Sequence, residues 1–394
     1  MAPGRRTRIL IVDDSAVMRS LLRTVVSADA GLEVAGTAAD GESALNSIGV
    51  VRPDLILLDV EMPVMDGLVT LRELRKRGHK MPVIVCSALT QRGAKVTLEA
   101  LACGASDYVA KPSGQSNREA AIRALGQDLT PKILALTGQD QGSSQRAGVS
   151  PNHGLPPAIF PGLPRAPLFP ALGQPHRPQP VNSSLNSFSP TVLAIGVSTG
   201  GPAALDVLLP KLPANFPLPV LIVQHMPELF TKIFAERLDG RCKLRVREAG
   251  EGDPVRVGTV SIARGNWHME VLAAAHTGQP PTLHLTQGLP ENHCRPAVDV
   301  LFRSVAAVYG AGTLAVVLTG MGSDGMLGCR TIRENGGAVL AQDEASSTVW
   351  GMPGAVTNAG LAHKVLALGE ILPEILRLAS RTNSEARELR ESVV

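Results

Sequence analysis

The sequence predicts two α/β domains, each built on a mostly parallel sheet, joined by a proline-rich linker. Three observations carry this. Strand-like apolar runs alternate with helical spacing over residues 8–137, and the alternation resumes from Thr191. Between them, 11 prolines fall from Pro151 to Pro190 among Gly, Ser, Asn and Gln, so this stretch cannot bury enough apolar surface to fold. A length of 394 residues has room for two such domains and their connections.

In the first domain, Arg8–Asp13, Glu33–Ala38, Leu55–Asp59, Val83–Ser87 and Asp107–Ala110 read as strands. Val17–Val26, Glu42–Ile48, Leu68–Arg77 and Lys95–Leu101 have helical spacing. Five βα repeats give a doubly wound, five-stranded parallel sheet whose ligands gather beyond the carboxyl ends of the strands. In the second domain the strands are Val192–Ile195, Pro219–Gln224, Thr259–Ala263, Leu283–Thr286 and Thr313–Leu318. Helices are expected at 202–209, 229–238, 297–309, 325–335 and 369–380. The expected limits are 6–137 for the first domain, 138–190 for a disordered linker, 191–380 for the second domain and 381–394 for a polar tail.

Composition narrows the function. The 38 basic and 35 acidic residues leave a net charge of +3, too little to steer nucleic acid or an anionic membrane. Aromatics are 3% of the chain, which argues against base-stacking platforms and leaves the cores to Leu, Val, Ile and Ala. The first apolar run, Ile9–Val12, is too short for a signal-peptide core or a membrane span. Five cysteines, Cys86, Cys103, Cys242, Cys294 and Cys329, lie far apart without a C-x-x-C pair. They read as reduced thiols of a cytoplasmic protein.

Asp13 and Asp14 end the first predicted strand and Asp59 ends the third. In a parallel sheet these ends lie side by side. Three carboxylates in one cleft repel unless a hard cation sits among them, and Mg²⁺ suits such oxygen donors. Ser87 ends the fourth strand, and Lys111 follows the fifth, before Pro112. A cis Lys111–Pro112 bond is expected here, since cis is common only before proline. A metal and a lysine together neutralise charge on a transferring phosphoryl group, with Asp59 as the central acceptor forming an acyl phosphate. Singly, a paired Asp is ordinarily a cap and Lys-Pro ordinarily a turn. All five in this order at strand ends outweigh those readings.

IVDDS (Ile11 to Ser15), LDVEMPVMDG (Leu58 to Gly67), Ser87-Ala88 and Lys111-Pro112 together resemble a response-regulator receiver domain. The resemblance covers about the first 130 residues. It implies that Asp14 and Asp59 bind Mg²⁺ directly, Asp13 through water, and Glu61 through its backbone carbonyl. It also implies that Ser87 and Tyr108 form the switch pair and that a sensor histidine kinase is the phosphodonor.

Downstream, IGVSTGGP (Ile195 to Pro202) sets G-x-S-x-G between a strand and a helix. The glycines allow a sharp turn that exposes Ser198 Oγ, and the N–H groups from Thr199 onward point out of the helix start. A phosphate-binding glycine loop is the competing reading, but the full G-x-G-x-x-G is missing and the next strand ends in Gln224-His225 instead of an acid. His225 ends the strand after that of Ser198. Asp324, in VLTGMGSDG (Val317 to Gly325), again lies between a strand and a helix start. A lone histidine is usually a satisfied residue and such an aspartate usually an N-cap. As a set they make a triad in the order Ser, His, Asp, unlike the Ser, Asp, His order of common α/β-hydrolases.

Five segments, IGVSTGG (Ile195 to Gly201), VQHMP (Val223 to Pro227), RPAVDVLF (Arg295 to Phe302), LTGMGSDG (Leu318 to Gly325) and QDEASSTVWGMP (Gln342 to Pro353), resemble the catalytic domain of the chemotaxis protein-glutamate methylesterase family, CheB. The resemblance implies hydrolysis of glutamyl methyl esters on the cytoplasmic helices of methyl-accepting receptors, and deamidation of certain receptor glutamines. It implies Ser198 as nucleophile, His225 as general base and Asp324 as its orienting carboxylate. Met321 N–H would help hold the oxyanion, with Thr199 beside the nucleophile. It further implies that the unphosphorylated receiver covers the esterase cleft. The chain departs from the family at Cys294 and Ala297, where the family often has His and Ser, and at Gly354, where arginine is common. The competing function is a binding protein or phosphate sink without turnover, which would have no need of an intact triad.

Overall fold

A computed structural model describes residues 5–112, 117–138 and 185–391. The first unit has β1 (Thr7–Val12), β2 (Leu32–Ala38), β3 (Leu55–Asp59), β4 (Val83–Ser87) and β5 (Asp107–Ala110). They form one parallel sheet in the order β2-β1-β3-β4-β5. Helices α1 (Ala16–Ser27), α2 (Gly41–Val51), α3 (Gly67–Lys76), α4 (Gln91–Ala102) and α5 (Arg118–Leu136) follow the strands in turn. Ile9, Leu10, Ile11, Leu55 and Leu57 are fully buried because helices cover both faces, which is why these strands read as unbroken apolar runs. Ser15, Asp40, Asp66, Thr90 and Asn117 each cap a helix by accepting from a first-turn N–H, each a contribution of about 0.5–2 kcal/mol.

The second unit holds a seven-stranded sheet, all of whose pairings are parallel. Its strands are β6 (Val192–Val197), β7 (Val220–Gln224), β8 (Arg245–Glu248), β9 (Thr259–Ile262), β12 (Thr313–Val317), β13 (Ala338–Gln342) and β14 (Lys364–Leu366). The order is β14-β13-β12-β6-β7-β9-β8. Helices α6 (Gly201–Leu208), α7 (Glu228–Asp239), α8 (Val298–Tyr309), α9 (Met326–Glu334), α10 (Met352–Asn358) and α11 (Leu368–Glu391) complete it. β10 (His268–Leu272) and β11 (Thr282–Thr286) make a separate antiparallel ribbon, so the expected strand at Leu283–Thr286 stands outside the parallel sheet.

Five elements of this unit had no clear sequence signal. β8 and β14 are the edges of the sheet, short and charged in the way edges avoid unwanted pairing. β10 depends on its partner β11, β13 is a five-residue buried run, and α10 is barely two turns long. One expectation is corrected. The Lys111–Pro112 bond is trans; the one cis bond among the described residues is Arg295–Pro296. Trans is favoured by about 0.5–1 kcal/mol even before proline, and Lys111 reaches its partners without the cis form. Residues 381–391, expected as a polar tail, continue α11 as helix. The expected linker lies mostly outside the described residues. At its end Leu185 is buried, and its carbonyl accepts from Arg381 Nη1 at 2.7 Å.

The two units meet through α4, which packs against α6 and α7. Leu98, Leu101 and Tyr108 share one continuous apolar cluster with Phe230 and Phe234 of α7. Arg237 on α7 pairs with Asp206 at 2.6 Å and donates to Leu98 O at 2.9 Å.

Candidate active site

Each sheet collects its reactive side chains where its strand order changes direction, the crevice at which open α/β sheets bind ligands. In the first sheet Asp13 follows β1 and Asp59 ends the neighbouring β3. Both carboxylates are buried, while Asp14 is exposed. One oxygen from each of Asp13, Asp14 and Asp59 lies within 4.8 Å of the others. Lys111 Nζ stands 2.8 Å from Asp13 Oδ2 and 2.7 Å from Asp59 Oδ2. Burial raises the Asp59 pKa, an effect Lys111 only partly offsets. Burial would lower the Lys111 pKa, but its bonds to Asp13 and Asp59 outweigh that and the net shift is upward. Hard oxygen donors of this kind fit Mg²⁺. Glu61 N–H donates to Asp59 Oδ1 at 3.3 Å, and its side chain pairs with Arg92 at 3.5 Å.

Of the expected switch pair, Ser87 Oγ donates to Gly93 O at 3.2 Å, turned toward the start of α4. Tyr108 is buried against the second unit, its ring stacked on Phe230 with centroids 4.8 Å apart and planes 13° from parallel.

In the second sheet, β12, β6 and β7 are adjacent and central. Ser198 follows β6, His225 follows β7 and Asp324 lies in the loop after β12. The β6–β7 register pairs Val197 with Gln224, so the next residues, Ser198 and His225, stand side by side. His225 N–H donates to Val197 O at 3.2 Å and Ser198 N–H to Thr319 O at 3.0 Å. Gly200 turns the chain into α6 with φ +77°, a left-handed conformation that favours glycine. A Cβ there would also lie 2.3 Å from Thr348 Oγ1. At Gly320 a Cβ would come within 2.8 Å of Ser198 Cβ, so glycine lets the two loops touch.

His225 Nε2 lies 2.7 Å from Asp324 Oδ2. Its Nδ1 faces Cys294 Sγ at 3.6 Å. Ser198 is half-buried, and its hydroxyl has no hydrogen-bonded partner among the described residues. Asp324 is buried yet ionised. Burial raises its pKa, but His225 and the N–H groups of Val298 (2.6 Å) and Asp299 (3.0 Å) outweigh that and the net shift is downward. Burial works against charge on His225 too, but Asp324 and Cys294 overcome it and lift the pKa to about 9. The N–H groups of Thr199 and Met321 are without acceptors among the described residues.

Some neighbours of these residues were missed from sequence. Asn292 Nδ2 donates to Asp324 Oδ1 at 3.0 Å and to the buried Asp299 Oδ2 at 2.9 Å, separating two carboxylates with one amide. Thr319 and Gln342 brace the Ser198 loop: Thr319 Oγ1 donates to Thr199 O at 2.9 Å, and Thr319 N–H donates to Gln342 Oε1 at 2.8 Å. Asp299 and Gln342 lie in the segments that carried the resemblance, but nothing in those segments shows what they touch. Thr199, expected beside the nucleophile, has a further partner. Its hydroxyl donates to Asp107 Oδ2 of the first unit at 2.8 Å, with both residues buried.

The family model for the response regulator receiver domain matches residues 9–123, and that for the CheB methylesterase matches residues 193–375. A protein-glutamate methylesterase/protein-glutamine glutaminase of Nocardioides sp. is 48% identical, over 95% of this chain and 96% of the relative. The proteins of the same name from Trichodesmium erythraeum and Azospirillum brasilense are 46% and 42% identical. They cover 94% and 96% of this chain and 98% and 94% of their own lengths.

Proposed function

Because the chain belongs to the CheB methylesterase family and carries the family's receiver domain ahead of the esterase, we propose that it is a phosphorylation-activated serine hydrolase acting on glutamyl methyl esters of methyl-accepting receptors. The observation that carries the mechanism is the 2.7 Å contact between His225 Nε2 and Asp324 Oδ2 beside Ser198. With Nε2 held, Nδ1 is the nitrogen left to serve the serine.

Ser198 Oγ attacks the ester carbonyl as its proton passes to His225 Nδ1. Asp324 stabilises the imidazolium that forms. The carbonyl oxygen becomes an oxyanion held by the N–H groups of Thr199 and Met321. As the intermediate collapses, the C–O bond to the methoxy group breaks and His225 returns the proton, releasing methanol. Water activated by His225 then cleaves the acyl-serine and frees glutamate. The same steps on a glutamine carboxamide release ammonia, which accounts for the glutaminase activity in the relatives' name.

In the receiver, Asp59 accepts the phosphoryl group from a sensor histidine kinase and Lys111 steadies its oxygens. Asp13, Asp14, Asp59 and the Glu61 carbonyl would hold Mg²⁺, which when bound supplies charge neutralisation for the transfer. Ser87 and Tyr108 relay the change to the surface that meets the esterase. The buried Thr199–Asp107 bond and the Tyr108–Phe230 stack support a closed resting state in which the receiver caps the cleft. Among the described residues no helix is long and apolar enough to cross a membrane. We place the enzyme in the cytoplasm, beside the receptor helices it would act on. The test is methanol release from methyl-labelled receptor by purified Ser198→Ala. Loss of turnover by orders of magnitude is expected, and a near-normal rate would overturn the assignment.

A further inference from the structure

His225 commits its two ring nitrogens to different partners. Asp324 holds Nε2 and cannot swing away, because Val298 N–H, Asp299 N–H, Gly325 N–H and Asn292 Nδ2 all bind it. Nδ1 therefore stays aimed at Cys294 Sγ, 3.6 Å away. Cys294 is itself fixed, since Glu291 and Cys294 exchange backbone hydrogen bonds of 3.1 and 2.8 Å across a tight turn.

That spacing has a chemical meaning beyond a thiol hydrogen bond. Zinc held by one sulfur at about 2.3 Å and one imidazole nitrogen at about 2.0–2.1 Å, at a tetrahedral angle, sets the two donors about 3.5–3.6 Å apart. A carboxylate on the far ring nitrogen is the partner that orients metal-binding histidines and raises their basicity. Here Asp324 fills that place. His225, Cys294 and Asp324 form one of two such ligand groups among the described residues, and it is the one with soft donors. Cys294 is partly exposed and reachable by an ion; Cys103 and Cys242 are too, but neither belongs to a ligand group among the described residues, and Cys86 and Cys329 are buried.

We propose that Cys294 Sγ and His225 Nδ1 form a binding site for a soft or borderline divalent cation, zinc or cadmium, and that the bound ion silences the esterase. Binding releases the Cys294 thiol proton and any proton on His225 Nδ1 to solvent. The metal–sulfur and metal–nitrogen bonds replace them, and water completes the coordination. Ser198 then has no nitrogen to take its proton. The inhibition rests on His225 being the general base, while the binding does not.

The experiment uses the full chain in excess Mg²⁺, so that the receiver carboxylates are already occupied. Cadmium is titrated while its ultraviolet sulfur-to-metal charge-transfer band is recorded. Zinc is titrated against methanol release, each variant being compared with its own uninhibited rate. One band per chain is expected in the wild type and none at this site in Cys294→Ser. Zinc should inhibit Cys294→Ser at concentrations roughly tenfold higher or more, a scale that losing even an outer-shell partner reaches. Cys294→His should lose the cadmium–sulfur band and keep the zinc sensitivity, which guards against a folding defect as the explanation. No band in the wild type, or a band unchanged by Cys294→Ser, would overturn the site. A band that requires Cys294 while hydrolysis proceeds unaffected would uphold the site and overturn His225 as the base.

Discussion

The receiver and esterase sites occupy the same place in their sheets and differ in how their buried carboxylates are held. At the receiver, buried Asp13 and Asp59 are balanced by the ammonium of Lys111, 2.8 and 2.7 Å away. Charge answers charge, and the acidic surplus invites a cation. At the esterase, Asp324 is held by neutral donors, the N–H groups of Val298, Asp299 and Gly325 and the amide of Asn292, besides His225. Against burial, His225 lowers the Asp324 pKa most, and the N–H groups of Val298 and Asp299 add to it. The first arrangement suits a group that gains and loses a phosphoryl, and the second suits a fixed carboxylate that steadies a proton in transit. The two sites are also joined. Thr199, next to Ser198, donates to Asp107, next to Tyr108.

The sharpest way to break the comparison is to remove the charges on each side. His225→Ala and Asp324→Ala should each lower methanol release by orders of magnitude, and combined with Ser198→Ala the losses should not add, because the three act as a unit. Additive losses would show that they do not. On the receiver side, acetyl phosphate or a partner kinase should label the wild type at Asp59 in the presence of Mg²⁺ and leave Asp59→Asn unlabelled. Mass spectrometry finding the phosphate elsewhere, or labelling that persists in EDTA, would contradict the site.

The link between the sites is probed by separating them. An esterase fragment cut upstream of Leu185, which keeps that buried residue, should outpace the unphosphorylated full chain. Phosphodonor should accelerate the full chain and leave the fragment unchanged. Within the intact chain, Asp107→Ala removes a buried hydrogen bond to a charged group, a contribution of about 1.5–3 kcal/mol. Its basal hydrolysis should rise on the order of tenfold without phosphodonor. A basal rate equal to wild type would show that the Thr199–Asp107 contact does not hold the closed form.

The smallest effect tests the electrostatic half of the comparison. A general base must be neutral, so activity is lost as pH falls through the His225 pKa. That pKa is lifted to about 9 against burial by Asp324 and Cys294. The rising limb of kcat/KM should therefore lie well alkaline of the ordinary histidine value of about 6.5, and Cys294→Ala should move it down. A limb at the ordinary value in the wild type would mean that Asp324 does not stabilise the imidazolium in solution.

How legible all this was in the chain depends on distance. The five receiver strands, the central esterase strands, and residues such as Asp59, Lys111, Ser198 and His225 announce themselves because apolar periodicity and strand-end chemistry are local. Asn292 gave no such signal, because its role exists only where the Glu291–Cys294 turn brings it between Asp299 and Asp324. The edge strands β8 and β14 were hidden too, since a strand that pairs on one side carries a weak apolar pattern.

The sequence by itself determined two parallel α/β sheets, the residues at their carboxyl ends, and the family resemblance those residues carry. Tertiary structure decided which nitrogen of His225 meets Asp324, that Cys294 takes the other side, and that Thr199 is bonded to Asp107 across the two units. The reason is physical. Strand and helix patterns follow from neighbours a few residues apart, whereas these contacts join side chains from 69 to 99 positions apart, and only the packed chain sets them at bonding distance.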